Sequence, residues 1–134
     1  MPVAPFNHGT RVLRLGDDAR PIAVSDTSTL GAIVTAPDAD NAVFPLDEPV
    51  HLYTHETDKI AALGATGTAL DVINAVKAQG IEASVVMVRV AEGADADATR
   101  ANMVGAAAAQ TGAHALTYAL GHVGVEPDLL LAPG

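Results

Sequence analysis

Gly64 and Gly67 have the spacing of a turn that could hold a phosphate group. The segment 59–69 can be read as a strand, this turn and a helix, and glycines there would let a pyrophosphate approach the N–H groups of the helix N-terminus. Arg89, at the end of the next predicted strand, could then bind a 2′-phosphate, which makes NADP the nominal ligand. The full G-x-G-x-x-G spacing is absent, so we expect a helix that ends at Gly64 with a loop behind it and keep the nucleotide site as the alternative.

Two histidines and two acidic pairs have residue types that bind metals. His51 falls on a predicted strand and His55 at a helix start, so their spacing does not place them on one helix face, and no Glu stands where a zinc-protease motif needs it. The acidic pairs at 38–40 and 95–97 lack the glycine and the glutamate of a calcium loop. We expect solvated acidic loops and a surface or capping histidine.

Nucleophilic catalysis has no candidate in this sequence. It contains no Gly-x-Ser-x-Gly motif, and Ser25, Ser28 and Ser84 have no histidine at a suggestive distance. The absence of cysteine excludes disulfides, thiolate nucleophiles and cysteine metal sites. We therefore expect no enzyme activity, no metal and no cofactor, and keep the small NADP-binding module at Gly64–Gly67 as the alternative.

Charge and hydropathy exclude several kinds of partner. The 134 residues, of which 49% are hydrophobic, suffice for one domain with a core. Seven basic residues stand against sixteen acidic ones, for a net charge of −9, so phosphate backbones and anionic membranes repel the chain. We expect no nucleic-acid partner and no membrane partner. The sequence also predicts no transmembrane span and no signal peptide.

Hydrophobic periodicity predicts the elements that must position these residues. They define an α/β fold with a mixed, largely parallel sheet flanked by helices, preceded by an extended N-terminal arm. The near-continuous apolar run of 83–90 predicts a central strand covered on both faces, and a last strand at 129–132 is also predicted to be buried. The other strands are predicted at 30–36 and 49–54, and the helices at 56–63, 68–79, 98–110 and 113–120.

Residues 1–19 are predicted to form the extended arm, and residues 20–134 the core domain. Two prolines in the first ten residues favour an extended chain. A short apolar-rich run then predicts an assembly strand without a nearby hairpin partner, and a Gly-Asp-Asp stop predicts a hinge. The strand consists of Arg11, Val12, Leu13, Arg14 and Leu15, and the hinge of Gly16, Asp17 and Asp18.

Several short segments occur in an order and spacing typical of one protein family. They are Phe6–Gly9, Arg20–Ile22, Thr35–Asp40, Phe44–Val50, Gly67–Leu70, Val85–Val90 with Glu92 and Gly93, and Pro127–Gly134. Together they resemble the contractile tail sheath proteins of temperate enterobacterial phages and related prophages, over essentially the whole chain. The chain departs from the family pattern at Asp47, where Asn is usual, and at Leu15–Gly16, where an acidic residue is common.

The resemblance implies a structural subunit that polymerises around a tail tube and contracts to drive the tube through a cell envelope. The implied partners are copies of the chain, the tail tube and baseplate proteins, with the tube contacted mainly by a C-terminal region missing here. That region also receives the arms of neighbours in the family. The implied location is the virion tail, after assembly in the bacterial host cytoplasm. Because family members run to several hundred residues, we expect an N-terminal portion.

The arm suggests how such subunits could be linked. An extended segment can add as a strand to the sheet edge of another subunit, and about four inter-strand hydrogen bonds at a net ~1 kcal/mol each make only a modest link. Modest head-to-tail links repeated without closure produce a filament. Two alternatives stay open, that residues 11–15 pair within their own chain, and that the protein is an adaptor whose arm binds a different protein.

Overall fold

The structure, a computed structural model, describes residues 29–134. The predicted arm, assembly strand and hinge within residues 1–19 lie outside the described residues. The described part contains one four-stranded sheet. Its strands are β1 (Thr29–Thr35), β2 (Pro49–Tyr53), β3 (Ser84–Val90) and β4 (Leu129–Leu131).

The strand order is β2-β3-β1-β4. β1 pairs in parallel with both β3 and β4, whereas β2 pairs antiparallel with β3. The sheet is therefore mixed and mostly parallel, which confirms the predicted α/β class. The helices are α1 (Thr57–Ala61), α2 (Ala69–Ala78), α3 (Ala96–Val104), a 3₁₀-helix (Gly112–Tyr118) and α4 (Ala119–Val123).

β1 and β3 form the interior of the sheet because their side chains are apolar on both faces. Six of the seven residues of β3 are buried, as its continuous apolar run predicts. Successive side chains of a strand point to opposite faces, and the two strands consequently contribute to two separate clusters. Val85 and Met87 pack with Val34 in one cluster, and Val86 and Val88 pack with Ile33 in the other.

Each face of the sheet is covered by its own helices. Ile60 of α1 and Val72 and Ile73 of α2 complete the cluster on one face. Met103 of α3 and Leu116 of the 3₁₀-helix complete the cluster on the other. The resulting three layers bury the parallel strands from both sides, which such strands require.

Two threonines fix the start of α2 against the end of β1. The Thr68 N–H donates to the Thr35 carbonyl at 2.9 Å, and the Thr35 N–H donates to Thr68 Oγ1 at 3.1 Å. Gly67 precedes this pair with φ +84°, and a Cβ at Gly67 would overlap the Thr35 carbonyl oxygen. The helix and the strand approach this closely because the residue between them has no side chain.

The predicted helix 98–110 differs from the structure at both ends. α3 begins at Ala96, where the Asp95 carboxylate accepts a hydrogen bond from the Ala98 N–H at 2.7 Å, as an N-cap does. It ends at Val104, because Gly105 has φ +67° and a Cβ there would overlap the Thr111 backbone. The four alanines at 106–109 therefore form a turn, despite their high helix propensity.

Two further predictions need correction near the C-terminus. The predicted helix 113–120 is a 3₁₀-helix followed by α4, which continues to Val123. The strand predicted to be buried at 129–132 is an exposed edge strand. Leu129, Leu130 and Leu131 are 58%, 67% and 41% exposed, because no further strand or helix of residues 29–134 covers them.

Replacing Gly67 by Ala tests the packing of α2 on β1. Gly80→Ala is a matched control, because Gly80 also has positive φ (+70°) but nothing within 4 Å of its Cβ position. The control should lose about 1 kcal/mol of unfolding free energy from backbone strain alone. Gly67→Ala should lose a further ~1–3 kcal/mol from overlap, as measured by urea unfolding. Equal losses for both variants would contradict this packing.

Candidate functional site

The Gly64–Gly67 turn is filled by the protein's own chain and does not form the alternative strand–turn–helix site. Residues Thr57–Ala61 are a helix, which agrees with the helix expected before Gly64. A Cβ at Gly64 would meet the side chain and backbone of Asp38. The Thr66 hydroxyl donates to Asp38 Oδ2 at 2.6 Å, and this places a carboxylate where a phosphate would lie. Nothing in this geometry supports NADP binding.

Arg89 points into the protein, which contradicts its predicted role toward a 2′-phosphate. Its side chain is only 5% exposed. One guanidinium nitrogen donates to the carbonyls of Ala36 and Ala39 at 3.0 and 3.4 Å, and the other to Asn41 Oδ1. In residues 29–134 no carboxylate forms a salt bridge with it, so the buried charge is stabilised by carbonyl oxygens.

The backbone of Arg89 also contacts the loop that precedes β2 and fixes its position. The Asp47 N–H donates to the Arg89 carbonyl at 2.8 Å, and Leu46 forms a parallel bridge with Arg89. One residue of β3 thus holds both the 36–41 turn and the loop before β2. These are two of the segments on which the sheath resemblance was based, so their spacing from Arg89 has a structural reason.

Asp47 occupies a backbone conformation that also suits Asn. Its φ is +57°, a left-handed region in which Asn and Asp are the most tolerated non-glycine residues. Its Oδ1 accepts a hydrogen bond from the Gly112 N–H at 2.9 Å, and an amide oxygen can do the same. The departure from the family pattern at this position therefore preserves the geometry.

Ser84 has a histidine partner that the sequence spacing did not indicate. His51 Nε2 lies 2.7 Å from Ser84 Oγ, across the β2–β3 pair. The ring packs edge-on against Tyr53, with centroids 4.7 Å apart. Among the described residues no carboxylate hydrogen bonds to His51, so the third group of a catalytic triad is missing. The pair acts as a cross-strand hydrogen bond.

The acidic pairs stabilise turns and caps. Asp40 Oδ1 accepts the Ala42 N–H at 2.9 Å, while Asp38 and Asp95 make the contacts already described. Within residues 29–134 no group of three or more potential ligands could hold a metal. The prediction of solvated acidic loops agrees with this placement.

Glu56 organises the chain between β2 and α1. Its Oε2 accepts the Tyr53 N–H at 2.7 Å, and its Oε1 lies 3.1 Å from Lys59 Nζ. These two hydrogen bonds, the backbone one foremost, lower the pKa of Glu56 below its ordinary value of 4.5. The carboxylate stays ionised and exposed, which suits a local stabilising role.

The surface that sequence reasoning missed is the outer edge of β4. Its three leucines are exposed, and Ala132 and Gly134, which follow them, line a groove of about 370 Å³ together with Ile33 and Met103. A sequence pattern shows that a segment is apolar but not whether the chain covers it, so this strand was predicted to be buried. In the described part of the chain, no helix is long and apolar enough to cross a bilayer.

Two curated proteins are similar to this chain over nearly its whole length. The tail sheath protein of Escherichia phage P2 is 33% identical over 98% of the chain, and the major tail sheath protein of Serratia phage KSP20 is 33% identical over 96%. This chain matches the N-terminal portion of phage tail sheath proteins. It spans about a third of their length, 35% and 34% respectively. The resemblance read from the short segments is thereby confirmed.

No protein-family model matches the chain. The assignment therefore rests on the two sheath relatives. The two matches cover 98% and 96% of the chain, so they include most of residues 1–28 as well as residues 29–134.

Replacing Arg89 by Lys tests whether the guanidinium anchors the 36–41 turn. A lysine keeps the charge but cannot reach three acceptors in the same plane, and each buried acceptor left unpaired costs about 1–3 kcal/mol. We expect a loss of about 2 kcal/mol or more in urea unfolding. Arg100→Lys is the matched control, since Arg100 is exposed and pairs only with Asp97, and should change stability by less than about 0.5 kcal/mol. Similar losses of unfolding free energy in both variants would show that the Arg89 guanidinium does not anchor the 36–41 turn.

Proposed function

We propose that the chain is the N-terminal region of a structural subunit of a phage or phage-like contractile tail sheath. The similarity to two sheath proteins over nearly the whole chain carries this proposal. The full-length subunit would polymerise around a tail tube and contract to drive it through a cell envelope. It would act without catalysing a reaction.

The described domain supports a mechanical role. The inner strands of its sheet are buried on both faces, and its candidate catalytic groups are used in turns, caps and a cross-strand hydrogen bond; part of its exposed apolar surface lies at the sheet edge. A rigid three-layer domain with an apolar edge suits repeated docking between subunits. The proposed partners are therefore copies of the chain, with the tail tube and baseplate as further partners through the rest of a full-length subunit.

The N-terminal arm is proposed as the link between subunits. Arg11–Leu15 would add as a strand to a neighbouring subunit, and Gly16–Asp18 would let the subunits rotate while that strand stays paired. Residues 1–19 would then be an arm that is separate from the domain of residues 20–134. The proposed location is the virion tail, after assembly in the bacterial cytoplasm.

Electrostatics oppose the close approach of the domains. Residues 29–134 contain thirteen acidic and four basic residues, whereas residues 1–28 contain three of each. The whole net charge of −9 therefore belongs to the domain that has to pack into a lattice. Like charges repel over about 30 Å at 0.01 M salt and only about 8 Å at 0.15 M, so assembly should depend on salt.

Deleting the assembly strand tests the proposed link. We expect a full-length sheath polypeptide to form tubes visible by negative-stain microscopy, and deletion of residues 1–15 to abolish them and leave a folded, dispersed subunit. Deletion of residues 1–10 is the matched control, because it keeps Arg11–Leu15 and should still form tubes. Normal tubes without residues 1–15 would show that the arm is not the link.

Changing the salt concentration tests whether repulsion between the acidic domains opposes assembly. Raising the salt from about 0.01 M to about 0.15 M shortens the screening length from about 30 to about 8 Å, and should lower the protein concentration at which tubes first appear. Light scattering over a concentration series measures that threshold. A threshold that rises with salt would mean that attraction between opposite charges, and not repulsion, governs assembly.

A further inference from the structure

The strand β2 forms the edge of the sheet opposite to β4, and in residues 29–134 it pairs only with β3. In an antiparallel pair, residues that bond to the partner strand alternate with residues whose backbone groups point away from it. The Thr54 N–H donates to the Ala83 carbonyl at 3.1 Å, so Leu52, two residues earlier, also faces β3. His51 and Tyr53 therefore turn their N–H and C=O groups to the outer edge.

The residues that follow β2 cover most of these outward groups. Lys59 Nζ donates to the His51 carbonyl at 3.2 Å. The Tyr53 N–H donates to Glu56 Oε2 at 2.7 Å, and the Tyr53 carbonyl accepts the Glu56 N–H at 3.0 Å. His51 and Tyr53 turn four backbone groups outward, and these contacts occupy three of them.

Glu56 and Lys59 also hold each other in position. Glu56 Oε1 lies 3.1 Å from Lys59 Nζ, while Glu56 Oε2 binds the strand. Each side chain thus bonds both to the backbone of β2 and to the other side chain. Hydrogen bonds in which one partner is ionised are stronger than neutral ones. We call these two side chains the β2 clamp.

The strand itself carries little protection against pairing with another chain. Natural proteins often place charged side chains on edge strands for this purpose, yet Pro49–Tyr53 contains no lysine, arginine, aspartate or glutamate. Pro49 has no N–H to donate and protects one end of the strand. At positions 51 and 53 the protection is supplied by the β2 clamp, from outside the strand.

We propose that the β2 clamp keeps the outer edge of β2 closed, and that this edge pairs with β2 of a second copy of the chain once the clamp is released. Two copies related by a twofold axis would place their β2 strands antiparallel and join two four-stranded sheets into one. The outward groups of His51 and Tyr53 would then bond to the second copy in place of Lys59 and Glu56. This inference goes beyond the proposed function and does not depend on it.

Removing both side chains of the clamp releases the edge without changing the net charge of −9. For the double variant Glu56→Ala with Lys59→Ala, we expect the dissociation constant for self-association to fall about tenfold or more, as measured by sedimentation velocity. Asp97→Ala with Arg100→Ala is the matched control, because this pair has the same spacing on α3 but forms no hydrogen bond with a strand. The control should change the dissociation constant less than about twofold.

A proline at position 51 shows whether the association uses the edge of β2. The His51 N–H points away from β3, so His51→Pro removes a donor that the sheet does not use and blocks pairing along this edge. Added to the double variant, it should return the dissociation constant to within about threefold of the unmodified chain. His51→Ala in the same background is the matched control. It also loses the hydrogen bond to Ser84 but keeps its N–H, and should remain associated.

Hydrogen–deuterium exchange at the Tyr53 amide gives an independent measurement of the clamp. In dispersed protein, Glu56→Ala removes the acceptor of this N–H and should speed its exchange about tenfold or more. Glu56→Gln keeps an oxygen acceptor at the same position and should leave the amide protected. Equal exchange rates in the two variants would show that the Glu56 side chain does not cover this amide, and would overturn the proposal.

Two further results would overturn it. One is a double variant that circular dichroism shows to be folded and that associates no more tightly than the unmodified chain. The other is an association that His51→Pro and His51→Ala affect equally, because the contact would then lie away from the edge of β2. If the double variant does not fold, Lys59→Met takes its place in both measurements, since it frees the His51 carbonyl but keeps the bonds between Glu56 and Tyr53.

Discussion

The parallel pairing of β1 with β3 is the interaction on which the rest of the structure depends. The pair runs through seven residues on each strand and is buried on both faces. Because both faces are apolar, two helical layers must cover the sheet, and the chain supplies one of them between β2 and β3 and the other between β3 and β4. At β4, residues 29–134 supply no further layer or strand, and its three leucines are exposed.

Arg89 connects this sheet to the loops around it. A buried charged residue is costly unless its donors are satisfied. Here both terminal guanidinium nitrogens of Arg89 donate, to the carbonyls of the 36–41 turn and to Asn41, whereas its buried Nε has no partner among the described residues. The loop geometry and the strand therefore depend on each other. In the proposed sheath subunit, such cross-links between loops and sheet would keep the shape of the domain.

The sequence predicted the fold best where one local pattern decides the structure. The continuous apolar run of β3 and the helical spacing of the apolar residues in α2 predicted these two elements to within one or two residues at each end. Predictions were wrong where a distant contact decides. Ala106–Ala109 have a high helix propensity, but the helix stops before them because Gly105 packs on Thr111. Arg89 resembled a ligand-binding residue because the carbonyls that it contacts are about fifty positions away in the sequence. The sequence indicated a hydrophobic β4 but not its exposure, since exposure depends on which other segments pack beside the strand.

The central claim is that the parallel pairing of β1 with β3, buried on both faces, holds this domain together. Hydrogen–deuterium exchange at the backbone amides of Thr29–Thr35 and Ser84–Val90 measures this most directly. The account predicts that these amides exchange more slowly than those of Leu129–Leu131, which lie in the exposed strand β4. Exchange in β1 and β3 as fast as at Leu129–Leu131 would contradict the account.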